Sequence, residues 1–337
     1  MTSASPSGSG VLSPEDGAAA RAWIADALGT AVEALDVEVV RERAWGDIWR
    51  VSADGDAGSY WFKTPHPRLR REVPLRARLE ARAPGSVLPL VAADAGLGWQ
   101  LTADAGPVLA ALTRDAQGEP LPDVGPQLYA ELARALGQIQ RAVTEDDVAG
   151  LGLPAFDPSR AVETFERESA PFRDLPAGHP THCGVEDMRR STSALSGLVR
   201  RWEAAGGDAL PLGLDHNDAH AGNAFLRDGR VLVSDWGDAV WGQPFASLRA
   251  LLVPLRNVFG PEAMAPVRRA YLGEFAEGGL PLDQLEELLD LAMMLAVPSR
   301  LGAWGSLDDP TAWAEYVDWV PALWREAGRP VGEVTAP

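Results

Sequence analysis

The sequence predicts an α+β chain of two lobes, a small one built on an antiparallel sheet and a larger, mainly helical one. Three observations predict it. The chain has 337 residues, more than one hydrophobic core usually serves, so a division into two is expected. Short runs rich in β-branched and aromatic residues cluster at 37–43, 48–52, 59–64, 87–92 and 98–102. Beyond them helical periodicity takes over, interrupted by one hairpin near residue 228.

Met1 to Gly10 is rich in Ser, Gly and Pro and lacks the basic and apolar regions of a signal peptide, so residues 1–12 are read as a disordered leader. Ser13-Pro14-Glu15-Asp16 then opens a helix running to about Leu28, with Ser as N-cap, Pro at the first helical position and acids in the first turn. Ala20, Trp23, Ile24 and Leu28 form its apolar stripe. Val37 to Arg43, Ile48 to Ser52 and Ser59 to Thr64 read as strands, the last two joined through the turn Asp54 to Gly58. Val87 to Ala92 and Gly98 to Thr102 complete a five-stranded sheet, and residues 13–102 make the small lobe. Lys63, at the end of the third strand, is the only lysine among 30 basic residues, the others all being arginine. A compact ammonium has been kept at one place in a chain that otherwise uses the planar guanidinium.

Residues 103–327 are assigned to the larger lobe and 328–337 to a flexible tail. Pro107 to Pro126 is a connector punctuated by Pro and Gly, after which Leu128, Leu132, Leu136 and Ile139 recur on one helical face. Pro154 to Glu168 and Val185 to Ala205 are two further helical segments. The loop between them holds His179, His182 and Cys183, whose irregular spacing points to a plain loop rather than a zinc site. After the hairpin only helices are expected: Phe245 to Val258, Pro261 to Glu277, Leu282 to Val297 and Pro310 to Glu326. In the third, Leu285, Leu288, Leu289, Ala292 and Ala296 face inward. Glu286 and Asp290, four apart on its other face, repel one another unless a cation lies between them. They are candidates for an amine-rich acceptor, and equally for ordinary solvated charge. Trp304, Trp313, Trp319 and Trp324 fall in the same tail; Trp313 with Tyr316 and Val320 is spaced as core, and one or two of the four could wall a substrate.

The most informative stretch is Leu214 to Phe245, LDHNDAHAGNAFLRDGRVLVSDWGDAVWGQPF. Two short apolar runs, Ala224 to Arg227 and Val231 to Ser234, flank an Asp-Gly pair, a strong hairpin signal. With Asp228 and Gly229 as the turn, Arg227 pairs with Arg230 and Asn223 falls across from Ser234, so Asp235 is one step further at the open end. Cross-strand neighbours lie about 5 Å apart, so the amide oxygen of Asn223 and the carboxylate of Asp235 can converge on one point. Hard oxygens placed this way suit Mg²⁺. Upstream, Leu210 to Leu214 reads as a strand entering His216-Asn217-Asp218, with Asp218 five residues before Asn223.

The order H-x-D-x-x-x-x-N, strand, turn, strand, D-x-G is that of the catalytic and metal loops of kinases. With the run DWGDA, the stretch resembles the aminoglycoside phosphotransferase and choline kinase family, whose loop reads like HGDLHPGN. The resemblance covers about residues 17–327 and is specific at Lys63 and from Asp218 to Asp238. It implies a protein-kinase-like fold and transfer of the γ-phosphoryl of ATP or GTP to a hydroxyl of a small acceptor such as an aminoglycoside, a sugar or an amino alcohol. It further implies Asp218 as the base, Asn223 and Asp235 as Mg²⁺ ligands, and His216 and Asp238 as residues that support them. Lys63 would reach the α- and β-phosphates, Gly46 of Trp45-Gly46-Asp47 would lie in the loop over them, and Thr102 and Ala103 would form the hinge that meets the base through backbone. Glu72, in Glu72-Val73-Pro74-Leu75-Arg76-Ala77-Arg78-Leu79, would orient Lys63, with Glu80 as the other choice because Pro74 complicates that helix. Two positions depart from the family: Asn217 stands where Gly is usual, and Pro244-Phe245-Ala246-Ser247-Leu248 stands where an Asp precedes Leu-Ala. Two rival readings use the same residues, a non-catalytic nucleotide-binding module and a metal-dependent phosphoesterase with His216, Asp218, His220 and Asp235 as ligands.

A formal charge of −18 argues against nucleic acid, which needs a basic face. It fits a cationic acceptor drawn to acidic walls, and equally a solubilising surface. The apolar runs are broken by Arg, Asp or Pro, so no segment is expected to span a bilayer. Cys183 is the only cysteine, which rules out an internal disulfide, fits a reducing cytoplasmic compartment and suggests a buried thiol. A monomer or homodimer is expected.

Overall fold

The structure, a computed structural model, describes residues 11–53, 58–276, 279–305 and 317–336. Helix α1 (Pro14–Leu28) starts where its capping residues predict: the Ser13 hydroxyl accepts the Asp16 N–H at 3.2 Å, and Gly29, at φ 66°, closes it in the left-handed conformation. There follow β1 (Leu35–Arg43), β2 (Gly46–Ala53), β3 (Ser59–Pro65), α2 (Glu72–Arg82), β4 (Ala92–Asp94) and β5 (Trp99–Ala103). The strands form one antiparallel sheet in the order β1-β2-β3-β5-β4. Ala20 and Ile24 of α1 share a small core with Trp49, Val51, Phe62, Trp99 and Leu101 of the sheet. The strand expected from Val87 to Ala92 is displaced to Ala92–Asp94. Pro89 has no N–H for a ladder, and the residues before it turn to the other lobe, where Val87 forms a bridge with Val233 and the Ser86 carbonyl accepts the Val233 N–H at 2.9 Å. The turn expected from Asp54 to Gly58 lies, up to residue 57, outside the described residues.

The larger lobe contains α3 (Leu109–Leu112), α4 (Gly125–Ala142), α5 (Glu145–Val148), α6 (Ala161–Glu168), α7 (Ala170–Arg173), α8 (Val185–Ala204), β6 (Gly213–Asp215), β7 (Ala224–Arg227), β8 (Arg230–Val233), β9 (Val240–Gly242), α9 (Leu248–Phe259), α10 (Met264–Gly273), α11 (Leu282–Leu295), α12 (Val297–Gly305) and α13 (Trp319–Arg325). Strand β6 pairs with β9, and β7 with β8. The periodic residues Leu132, Leu136 and Ile139 of α4 meet Leu285, Leu288, Leu289 and Ala292 of α11 in one core. Leu75 and Leu79 of α2 belong to that core too, both fully buried. Burial of a leucine side chain contributes roughly 1.5–3 kcal/mol, so α2 is held firmly against the larger lobe. Helix α12 falls between the segments read from the sequence as 282–297 and 310–326. Pro298 sits at its second position, where a missing N–H costs nothing, so the proline that stops one helix opens the next. Trp313 and Tyr316 lie outside the described residues. Among the described residues no helix is long and apolar enough to cross a membrane.

The architecture is therefore α+β, with a five-stranded antiparallel lobe ahead of a helical one, as the sequence predicts.

Candidate active site

Strand β3 projects Lys63 between the lobes. Its ammonium lies 2.7 Å from Glu72 Oε2 and 2.6 Å from Asp235 Oδ1. Burial alone would lower the pKa of this lysine, but the Asp235 and Glu72 carboxylates outweigh it and hold the value above its ordinary one. Glu72 is the first residue of α2, and its other oxygen accepts the Trp236 N–H at 3.1 Å, so one carboxylate joins the sheet to the loop behind Asp235. Pro74 is in the first turn of α2, where no intrahelical partner is lost. Glu80 instead accepts the Gly85 N–H at 3.2 Å.

The hairpin has the register that its Asp-Gly turn predicts. Arg227 pairs with Arg230, Asp228 and Gly229 take φ 51° and 74°, and the Ser234 N–H donates to the Asn223 carbonyl at 2.8 Å. Asp235 follows at φ 61°, which turns its side chain out of the ladder direction. Although its side chain is about half exposed, the surrounding chain shields the carboxylate from enough water to oppose its ionisation, yet Lys63 brings its pKa down to about 2. Asn223 donates from Nδ2 to the Asp218 carbonyl at 3.0 Å, which leaves its amide oxygen for another partner. The turn between them requires Gly222: a Cβ there would lie 2.7 Å from His220 Cε1. Asn217, at φ 62°, adopts the left-handed conformation that makes Gly usual at this position.

His216 is fully buried, and burial depresses its pKa. Its Nδ1 accepts the Asp218 N–H at 3.3 Å, and Nε2 lies 3.0 Å from the Ser234 carbonyl, so a neutral ring protonated on Nε2 bridges the two loops. Beneath it Asp215 Oδ1 accepts the Asn217 N–H at 2.8 Å and the Ser247 hydroxyl at 2.6 Å, and Ser247 in turn accepts the His216 N–H at 2.9 Å. Asp215 and Ser247 thus tie strand β6 to the segment that leads into α9. Burial raises the Asp215 pKa to about 6, and its Oδ2 has no partner.

The residue that sequence reasoning missed is Arg300 of α12. Its buried guanidinium lies 2.6 Å from Asp218 Oδ1 and 3.1 Å from Asp238 Oδ2. Burial, with Asp218 and Asp235 nearby, still raises the Asp238 pKa to about 6 against the pull of Arg300. Arg300 also lies over Trp319 at 5.7 Å from the ring centre. Trp319 meets Trp304 edge-on at 5.0 Å, and Trp304 meets Trp45, at the tip of the β1–β2 hairpin, at 5.7 Å. These tryptophans pack on one another across the lobes.

Other expected positions fall elsewhere. Gly46 lies in β2, where a Cβ would come within 2.7 Å of the Thr64 carbonyl, so close strand pairing already requires the glycine. Asp47 beside it turns inward to accept the Val11 and Leu12 N–H groups at 3.2 and 3.0 Å. Thr102 and Ala103 end β5, paired with Trp61 and Tyr60. Glu286 and Asp290 are not brought to the site: Arg268 of α10 lies between them at 2.7 and 2.5 Å and supplies the cation that their spacing demands. His179 is taken up locally, its Nδ1 accepting the Thr181 N–H at 3.2 Å, and burial pushes the Cys183 thiol up to about 12.

Beside Asn217 and Asp238 opens a cleft of about 330 Å³. Phe156, Arg167 of α6, Ser299 of α12, and Arg68 and Arg71 ahead of α2 help to line it.

The phosphotransferase enzyme family matches residues 36–282 of the chain. No curated protein sequence matches it. Among solved structures, a macrolide 2′-phosphotransferase type I aligns at 17% identity and TM-score 0.57, covering 90% of this chain and 96% of the other. An ethanolamine kinase from Plasmodium vivax aligns at 12% identity and TM-score 0.61, covering 88% and 83%. A spectinomycin phosphotransferase solved with ADP and spectinomycin aligns at 12% identity and TM-score 0.51, covering 89% and 92%. These likenesses establish the kinase-like fold.

Proposed function

The chain belongs to the phosphotransferase enzyme family, and we propose that it is a small-molecule kinase moving the γ-phosphoryl of ATP or GTP to an acceptor hydroxyl. The observation that carries this reading is the contact of Lys63 with both Glu72 and Asp235, at 2.7 and 2.6 Å. The one lysine of the chain is thereby tied to the helix and to the metal loop, as phosphoryl transfer needs.

Asn223 and Asp235 fit a magnesium ion by the chemistry of their donor atoms. Both offer hard oxygens; Asp235 is about half exposed, at 48%, and the amide nitrogen of Asn223 is already used, which frees its oxygen. Magnesium held there would neutralise the negative charge of the nucleotide phosphates. Lys63 orients the α- and β-phosphates. Arg300 holds Asp218 by Oδ1 at 2.6 Å, whereas Oδ2 meets a long contact from Asn223 Nδ2 at 3.4 Å, so Oδ2 is the oxygen that takes the acceptor proton. The acceptor oxygen bonds to the γ-phosphorus as the bond from that phosphorus to the β,γ-bridging oxygen breaks, and the nucleoside diphosphate leaves. Positioning and electrostatics dominate such a reaction.

Neither rival gains support. A non-catalytic module does not need the complete set of Asp218, Asn223, Asp235 and Lys63. A phosphoesterase with His216 as metal ligand meets a ring whose two nitrogens are both engaged by the protein.

Thermal stability with Mg²⁺ and ATP, GTP or neither tests the reading, followed by an acceptor panel scored for ADP or GDP release. A magnesium-dependent stabilisation is expected, retained in Asp218→Ala while turnover falls by orders of magnitude. No stabilisation at saturating nucleotide would overturn it.

A further inference from the structure

The chain carries 48 acidic against 30 basic side chains. The cleft beside Asn217 and Asp238 reverses that balance: Arg68, Arg71 and Arg167 line it against Glu168 and Asp238. Both carboxylates are already engaged, Glu168 by Arg167 at 2.8 Å and Asp238 by Arg300 at 3.1 Å. The base Asp218 is engaged by Arg300 as well. Among the described lining residues an amine would meet the guanidinium groups of Arg68 and Arg71 and two carboxylates that each already carry an ion pair.

Two polar atoms at the cleft are unsatisfied. Arg71 donates from Nη1 to the Arg68 carbonyl at 2.6 Å, but its Nε is buried without a partner. Ser299 is 7% exposed, and its hydroxyl has no partner either. A buried donor left unmade costs about 1–3 kcal/mol, and a group with acceptor oxygens entering the cleft beside Arg71 and Ser299 would relieve that cost. Burial disfavours the Arg71 charge, and Asp238 only partly restores it. The donor set, guanidinium fork plus hydroxyl, is the one that grips carboxylates and phosphates.

We propose that the acceptor of this cleft is a small hydroxylated anion, carrying a carboxylate or a phosphate ester held by Arg71 and Ser299, with Arg68 and Arg167 at the rim. This rests on the kinase reading, since it places the anionic group of the acceptor beside the loop that carries Asp218. A volume of about 330 Å³ is at the lower end for small-molecule sites and suits a molecule of monosaccharide size. The cationic acceptor suggested by overall acidity is thereby set aside: the carboxylates that line the cleft are each already paired with an arginine.

The test uses one scaffold in four charge states: glucose, glucosamine, glucuronate and glucose 6-phosphate. Each is measured by calorimetry on the intact protein with and without Mg²⁺-ADP, and then as an acceptor with Mg²⁺-ATP and Mg²⁺-GTP. Tighter binding of at least one anion than of glucose and glucosamine, by about tenfold or more, is expected, and which anion prevails separates carboxylate from phosphate. Arg71→Gln should remove that advantage while leaving the Mg²⁺-nucleotide stabilisation unchanged; Arg71→Lys should keep part of it. Glucosamine or glucose binding as well as the anions, no anion binding at millimolar concentration, or an advantage untouched by Arg71→Gln would each overturn the proposal. Failure of the kinase reading itself would read out separately, as absence of any Mg²⁺-nucleotide stabilisation while the anion still binds.

Discussion

Asp215→Asn isolates the effect of one buried carboxyl group. Asp215 is fully buried, its Oδ1 accepts two hydrogen bonds and its Oδ2 none, and its pKa is raised to about 6 from an ordinary value of 3.8. A folded-state pKa above the unfolded one means that the folded protein binds the proton more tightly. Its stabilising contribution is therefore complete below 3.8 and is lost as pH rises through 6. At 1.36 kcal/mol per pKa unit the full loss is about 3 kcal/mol, of which about 1.4 kcal/mol falls between pH 5 and pH 7.5. Asparagine keeps the acceptor oxygen for Ser247 and Asn217 but cannot ionise. Its buried NH₂ group adds a cost that does not depend on pH. The difference in unfolding free energy between wild type and variant, from urea denaturation, should move in favour of the variant by about 1.4 kcal/mol between pH 5 and pH 7.5. Other titrating groups cancel in that difference. An identical gap at both pH values would refute the reasoning and mean that Asp215 is ionised in the folded protein throughout.

Four further changes test the site. Arg300→Gln removes the cation between Asp218 and Asp238; breaking a buried pair costs roughly 3–5 kcal/mol, and with the carboxylates 22% and 27% exposed the lower figure is expected, measured by urea denaturation at pH 7. Glu72→Gln weakens the grip on Lys63, and a lost charged hydrogen bond of about 1.5–3 kcal/mol should appear as a roughly 10- to 100-fold fall in kcat/KM for the nucleotide. Gly222→Ala forces a Cβ to within 2.7 Å of the His220 ring, so a loss of about 1–3 kcal/mol in stability should accompany weaker Mg²⁺-nucleotide binding by calorimetry. Glu286→Gln, at a carboxylate bonded to Arg268 of α10, should leave kcat and KM unchanged for any acceptor while lowering stability by less than about 1 kcal/mol.

What was legible in the sequence had local causes. The Asp228-Gly229 turn fixes the hairpin register by backbone conformation alone, and the register carries Asn223 and Asp235 with it. Ser13, Pro14 and Gly29 bound the first helix by the same local chemistry. Lys63 was visible because the chain has no other lysine. Arg300 was hidden for the opposite reason: it is one arginine among many, and its partners lie 82 and 62 residues away. One signal pointed to it. From Leu291 to Trp304 the run LAMMLAVPSRLGAW is apolar or small except for Arg300, and a lone charge in such a run is buried with a partner more often than it is exposed. The pairing of Asp215 with Ser247 was obscured by distance: the two partners lie 32 residues apart, and neither residue type in its local run announces the other.

The two cores set where motion between the lobes has to act. The sheet and α1 share the smaller core, whereas α2 packs through Leu75 and Leu79 into the larger one. A rotation of the sheet against the larger lobe would therefore act on the contacts between the sheet and α2, among them Lys63 to Glu72, at 2.7 Å, and Arg76 to the amide oxygen of Gln100. The same rotation parts Trp45 from Trp304, and Trp304 packs on Trp319, the ring under Arg300. Static contacts thus run from the tip of the β1–β2 hairpin through Trp304 and Trp319 to Arg300 and Asp218, residues that lie far apart in the chain. Substitution of Trp45 by alanine should consequently alter kcat as well as nucleotide KM; a change confined to KM would show that the aromatic contact serves the nucleotide loop alone.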